Sequence, residues 1–137
     1  MSKFKFGKTS LERLSSCHKD IQKLMHTALS KSDEDFTILQ GHRGEEEQNK
    51  FFKEKKSKLM YPNSKHNMYP SIAVDIAPYP IDWEDTQRFK NLAKVVLECA
   101  KDLDLVVRWG GDWDRDGDTF DQTFNDLPHF ELDWKRR

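Results

Sequence analysis

Ser71-Ile72-Ala73-Val74-Asp75-Ile76-Ala77, closed by Pro78, reads as a β-strand. Alternation along it sends Ile72, Val74 and Ile76 to one face and Ala73, Asp75 and Ala77 to the other. The first face belongs to a core. The second sets an ionisable group between two alanines, which leaves room for a ligand beside it.

Upstream, Phe36-Thr37-Ile38-Leu39-Gln40 is a second short strand ending at Gly41, and a polar helix follows over about 45–56. Arg43 and Gln48 therefore sit near a strand-to-helix junction. Residues 19–30 place Ile21, Leu24, Met25, Ala28 and Leu29 at helical spacing, with Ser15 or Ser16 as the expected cap. Downstream, Met60-Tyr61-Pro62-Asn63-Ser64 is a loop. Residues 83–102 carry the strongest amphipathic pattern, with Phe89, Leu92, Ala93, Val96, Leu97 and Ala100 on one face and Asp82 or Asp85 at its start. Leu105-Val106-Val107-Arg108-Trp109 is a strand, Gly110-Gly111 a turn, 112–121 an acidic loop, and His129-Phe130-Glu131-Leu132 a final strand. The predicted fold is α+β: a small, mainly antiparallel sheet with candidate ligands on one face and the helices near 19–30 and 85–102 packed around it. Residues 1–137 form a single catalytic domain in this reading, since no linker or repeat divides them.

With 36% hydrophobic and 34% charged residues the chain is polar, but nine Phe, four Trp and three Tyr supply core material, so a folded domain is expected. The net charge of −1 hides an asymmetry: 14 Lys/Arg against 9 Asp/Glu over residues 1–65, then 9 against 15 over 66–137. The basic run 50–58 is read as a solvated helix face, so nucleic acid is not an expected partner. Cys17 and Cys99 lack metal or disulfide-framework spacing, which suits a reducing compartment. No stretch approaches a membrane span.

Catalytic zinc sites take three protein ligands from His and carboxylate groups and keep one position open. His66, Asp75 and His129 can supply such a set. Moreover, Ser64-Lys65-His66-Asn67-Met68-Tyr69-Pro70-Ser71-Ile72-Ala73-Val74-Asp75 resembles the Ser-x-His…Ala-x-Asp signature of the zinc D-Ala-D-Ala and L-Ala-D-Glu peptidases, a hedgehog-like fold family, and His129-Phe130-Glu131 resembles their second signature. Within that group the chain is most similar to bacteriophage endolysins of the L-alanyl-D-glutamate endopeptidase type, from Phe4-Lys5-Phe6-Gly7 almost to the C-terminus. One departure is the interval between His66 and Asp75, where Met68-Tyr69-Pro70-Ser71 replaces a shorter, glycine-containing stretch.

The resemblance implies zinc bound by His66, Asp75 and His129, with Asp126 as the general base. A carboxylate beside the metal takes the proton of the attacking water and later gives it to the leaving amine. Gly41-His42-Arg43, followed by Gln48, resembles the family's Gly-x-Arg…Gln element; Arg43 would stabilise the oxyanion and Gln48 would position the substrate or Arg43. Glu131 is assigned to the surroundings of the metal ligands or to substrate contact, and Ser64 to orienting the loop that carries His66. His18, His26 and His42 lack paired ligand spacing, and Trp109, Trp113 and Trp134 flank the site as groove or packing residues.

Asp112-Trp113-Asp114-Arg115-Asp116-Gly117-Asp118 has the opening half of an EF-hand calcium loop, but Thr123 stands where the closing glutamate would be. Calcium held by Asp112, Asp114, Asp116 and Asp118, with Asp121 completing the shell, is a regulatory expectation. The function implied is cleavage of bacterial peptidoglycan stem peptides, favouring the L-Ala-D-Glu bond, by a monomeric endolysin without stable membrane insertion. It would be made in the host cytoplasm and reach the wall through a separate membrane-permeabilising protein. The alternatives are a D,D- or L,D-carboxypeptidase of cell-wall peptides and a non-catalytic zinc/calcium-binding module of hedgehog-like fold.

Overall fold

The computed structural model describes residues 4–57, 59–111 and 126–133. Among these the elements run α1 (Lys8–Ser15), α2 (Lys19–Lys31), β1 (Phe36–Gln40), α3 (Glu45–Lys53), a 3-10 turn (Lys65–Asn67), β2 (Ala73–Pro78), α4 (Thr86–Asp102), β3 (Val107–Gly110) and β4 (Asp126–Leu132). The strands form one antiparallel sheet of order β1-β2-β4-β3. This is the expected α+β architecture.

The alternation of β2 explains the layering. Val74 and Ile76 are fully buried and share one core with Leu24 and Met25 of α2 and with Ala93 and Val96 of α4. The two long helices thus cover one face of the sheet, the face on which the branched apolar side chains of β2 lie. Asp75 projects from the other. Cys17 and Cys99 are buried and free, and no helix among the described residues is long and apolar enough to cross a membrane.

Several boundaries differ from expectation for identifiable reasons. Helix α1 has too few apolar residues to show a stripe; it is held by side chains that reach the edge strand β1. Ser10 Oγ accepts from the Ile38 amide at 3.1 Å and Arg13 Nη1 donates to the Ile38 carbonyl at 3.0 Å, so the helix occupies backbone groups that an edge strand would otherwise expose. Because α1 takes up Ser15 and ends at Ser16, neither serine caps α2. His18 does, its Nδ1 accepting from the Asp20 amide at 3.0 Å. Of the two candidates for α4, Asp85 is the cap.

Helix α3 stops at Lys53, short of the expected 56, because Lys55 adopts a left-handed conformation (φ 63°). The amides of Lys55 and Lys56 then turn back to the carbonyls of Phe52 and Phe51 at 3.1 and 2.8 Å, in the manner of a Schellman cap. Gly110, expected in a turn, is the last residue of β3. It pairs with Asp126, so β4 starts three residues before His129.

Gly41, just past β1, lies where a Cβ would collide with the Arg13 carbonyl and Ser16 Oγ at the end of α1. Glycine is required there by close approach, not by a turn. Gly41→Ala should therefore cost about 1–3 kcal/mol as an overpacking substitution, read as a lowered thermal midpoint by circular dichroism. An unchanged midpoint would show that α1 yields without penalty.

Candidate metal centre

Asp75 and His129 face each other directly across β2 and β4. His66 reaches them from the 3-10 turn, which Ser64 caps: its Oγ accepts from the His66 amide at 3.2 Å, and the Asn67 side chain returns a hydrogen bond to the Ser64 amide at 3.0 Å. Ser64 thus orients the segment that carries His66.

His66 Nε2, Asp75 Oδ1 and His129 Nδ1 converge, with separations of 3.2, 3.2 and 3.0 Å. The other nitrogen of each ring is already committed. His66 Nδ1 lies 2.7 Å from the Gly41 carbonyl, and His129 Nε2 lies 2.8 Å from Glu131 Oε1. Both acceptors require an N–H on those nitrogens, which leaves lone pairs on the two inward-facing ones. Two ring nitrogens and a carboxylate oxygen at these distances share protons or hold a cation between them. Zn–ligand bonds of ~2.0–2.1 Å at tetrahedral angles would place donors about 3.3 Å apart, close to what is seen. The three residues form a group that could hold a metal ion, and their N, N, O donors suit a borderline divalent cation such as zinc.

Carboxylates and carbonyls support these three side chains from outside. Both oxygens of the buried Glu131 are occupied, one by His129 and the other by Arg108 Nη2 at 3.1 Å. Of the two roles expected for Glu131, the geometry favours support of a ligand over substrate contact. Arg108 and the Gly41 carbonyl were not singled out from sequence. Arg108 becomes visible only through the register that sets it opposite Glu131.

Arg43 is buried beside this group. Its Nη1 donates to Gln48 Oε1 at 2.9 Å, its Nη2 lies 3.7 Å from Asp75 Oδ2, and its guanidinium stacks 4.5 Å from the Phe51 ring centre. Burial lowers its pKa, with Asp75, Glu47 and Asp126 opposing. The fully buried Gln48 also accepts from Asn67 Nδ2 at 3.2 Å and donates to Ser57 Oγ and the Leu59 carbonyl at 3.0 and 2.6 Å. It is a bracket for Arg43, Ser57 and Leu59.

Asp126 stands three residues before His129, a spacing that puts two side chains on opposite faces of a regular strand. Here the ladder steps from Trp109↔Phe130 to Gly110↔Asp126, so β4 bulges around Pro128. Both Asp126 and His129 then line one cavity of about 410 Å³, together with Arg43, His66 and Asp75. A Cβ on Gly110 would collide with the Asp126 backbone, so the glycine is what permits this pairing. Burial and the neighbouring Asp75 charge raise the Asp126 pKa, against His129, His66 and Arg43.

Among the other singled-out residues, Trp109 packs on Phe130 and donates from Nε1 to the Leu127 carbonyl at 2.8 Å, a packing role. His26 meets Phe6 edge-on and His42 meets Tyr69. Asp112, Asp114, Asp116, Asp118 and Asp121, with Trp113 and Trp134, lie outside the described residues.

Without a metal, protons must supply the positive charge. Burial disfavours a charged His129, but its hydrogen bonds to Asp75 and Glu131 and the charges of Asp75 and Asp126 raise its pKa to about 10. Burial would raise the Asp75 carboxyl, yet the His66 charge and the hydrogen bonds of His129 and His66 hold it well below the usual carboxylate range. At neutral pH a metal must then displace a proton from His129 while Asp75 is already ionised, so affinity weakens as pH falls. Zinc binding at pH 7 should release about one proton, measured by calorimetry in buffers of different ionisation enthalpy; a buffer-independent heat would contradict this.

The family profile described as phage L-alanyl-D-glutamate peptidase matches residues 1–133. The L-alanyl-D-glutamate peptidase of Escherichia phage T5 is 36% identical over 122 residues, covering 87% of this chain and 88% of that protein. The crystal structure of the Serratia marcescens L-Ala D-Glu endopeptidase ChiX superposes with a TM-score of 0.78 at 25% identity, over 98% of this chain and 94% of that one. With the metal-binding geometry in place, these similarities establish that the chain belongs to the phage L-alanyl-D-glutamate peptidase family.

Proposed function

We propose that this chain, as one catalytic domain, hydrolyses the L-alanyl-D-glutamate bond of peptidoglycan stem peptides as a zinc peptidase, in the role of a phage endolysin. The observation that carries the zinc assignment is the convergence of His66 Nε2, Asp75 Oδ1 and His129 Nδ1, each ring's other nitrogen being tied to a carbonyl or carboxylate. Zinc bound there would supply Lewis-acid polarisation of the scissile carbonyl and a lowered pKa for water.

The chain's own groups do the rest. Asp126, in the same cavity, accepts the proton of the attacking water and returns it to the leaving amine. Its place on the wall of that cavity, beside Asp75 and His129, is what suits it to this proton transfer. Arg43 faces the developing oxyanion. Its position is fixed by Gln48 and Phe51, and its buried Nε has no acceptor among the described residues. A purely binding module of the same architecture would have no use for an acid–base carboxylate and a fixed guanidinium in the metal cavity, which favours the enzyme.

The endolysin role carries two further proposals: the chain acts as a monomer, and it reaches the wall through a separate membrane-permeabilising protein. Calcium bound by Asp112, Asp114, Asp116, Asp118 and Asp121 would order the segment leading to Asp126 and His129, since alternating carboxylates repel one another without a cation. Rates in calcium-chelated and calcium-replete buffer, at constant zinc, should then differ strongly; equal rates remove the calcium role.

Asp126→Ala should lower hydrolysis of outer-membrane-stripped Gram-negative cell walls by roughly 10²–10⁴-fold, the usual worth of a general base, while zinc content stays at the wild-type level. Mass spectrometry of the digest should show new N-terminal glutamyl peptides. Products cut only at the stem terminus would replace this reading with the carboxypeptidase one.

A further inference from the structure

Cleavage between alanine and glutamate sets a requirement that the metal, Asp126 and Arg43 do not meet. A glutamyl residue continues a peptide through one of its carboxyl groups and keeps the other as a free carboxylate, only a few bonds from the scissile nitrogen. A cation on the leaving-group side that is not consumed by catalysis would favour glutamate by pairing with that carboxylate.

Among the described residues, the lysine and arginine side chains that line the cavity are Arg43, Lys56, Lys65 and Arg108. Arg43 is bound to Gln48 beside Asp75, and Arg108 is paired with Glu131 in support of His129. Lys56 is placed by the chain itself. The left-handed Lys55 (φ 63°), a conformation unfavourable for a residue with a side chain, reverses the chain after α3 and lets the Lys56 amide close on the Phe51 carbonyl at 2.8 Å. The Lys56 ammonium then lies 5.7 Å from the centre of the Phe51 ring, the same ring that carries the Arg43 guanidinium at 4.5 Å. Phe51 thus anchors the buried catalytic cation and a second, accessible one on the same cavity wall. The ion pair of Lys56 with Glu54, at 3.3 Å and with side chains 65% and 39% exposed, is a surface contact that a substrate carboxylate readily replaces. Lys65 has no comparable anchor among the described residues.

We propose that Lys56 binds the free carboxylate of the glutamyl residue on the leaving side of the scissile bond, and so selects glutamate with a free carboxylate over its amidated form. This rests on the peptidase reading above. The attraction is charge-assisted hydrogen bonding between ammonium and carboxylate, weakened by solvent because the lysine is largely exposed.

The test uses the zinc-loaded full chain and two synthetic stem peptides that differ only in whether that carboxyl group is free or a carboxamide. Wild type should prefer the free acid by about threefold in kcat/KM, the scale of a solvent-exposed ion pair; Lys56→Gln should bring the ratio close to one, and Lys56→Arg should retain most of it. A loss of stability would move both rates together and leave their ratio unchanged, so the ratio reports recognition alone. Lys65→Gln is the comparison variant. An unchanged ratio in Lys56→Gln, no preference in wild type, or loss of preference in Lys65→Gln instead would each overturn the assignment while leaving the peptidase reading intact. A wild type that cuts neither peptide between alanine and glutamate removes the peptidase reading and this inference with it.

Discussion

Two imidazole lone pairs and a carboxylate oxygen are forced into mutual contact at the centre of this protein, and much of the surrounding structure serves to keep them there. Left alone, such a trio repels or takes up protons. It persists because the outward nitrogens of His66 and His129 are held by the Gly41 carbonyl and by Glu131, which fixes both tautomers. The arrangement is a preset group of donors that could hold a cation once His129 gives up its proton.

Each part of the fold can be read as a support for that trio. The packed face of β2, with Val74 and Ile76 against α2 and α4, holds Asp75 on the opposite face. Helix α1 closes the outer edge of β1 and bears on Gly41, so the Gly41 carbonyl that orients His66 is itself fixed by packing. The bulge in β4 turns Asp126 toward the cavity that His129 lines. Stability and chemistry meet in the same backbone groups here, and for that reason conservative changes at Gly41 or Gly110 reach the site without touching a ligand.

The sheet and its two long helices were legible in the sequence because period-2 and helical apolar patterns are local. The ligand trio was legible through motif likeness, since spacing alone leaves His66 and Asp75 ordinary. Helix α1 was not, because tertiary hydrogen bonds from Ser10 and Arg13 stabilise it in place of an apolar stripe. His18 as a cap went unseen because Ser15 and Ser16 are better cap formers by type but are spent on α1. The roles of Arg108 and of the β4 bulge depend on strand register, which no local pattern encodes. The left-handed turn at Lys55 was equally hidden, as glycine or asparagine usually marks such a position.

Under the proposed function, one zinc ion held by the trio makes the chain a peptidase. The most direct measurement is stoichiometric return of zinc to chelator-stripped protein, with cleavage of a defined stem peptide followed at each addition. Activity should rise linearly and saturate at about one zinc per chain, with the new N-terminus at glutamate. Activity that survives complete removal of metal, or that fails to follow zinc bound at this site, would contradict it.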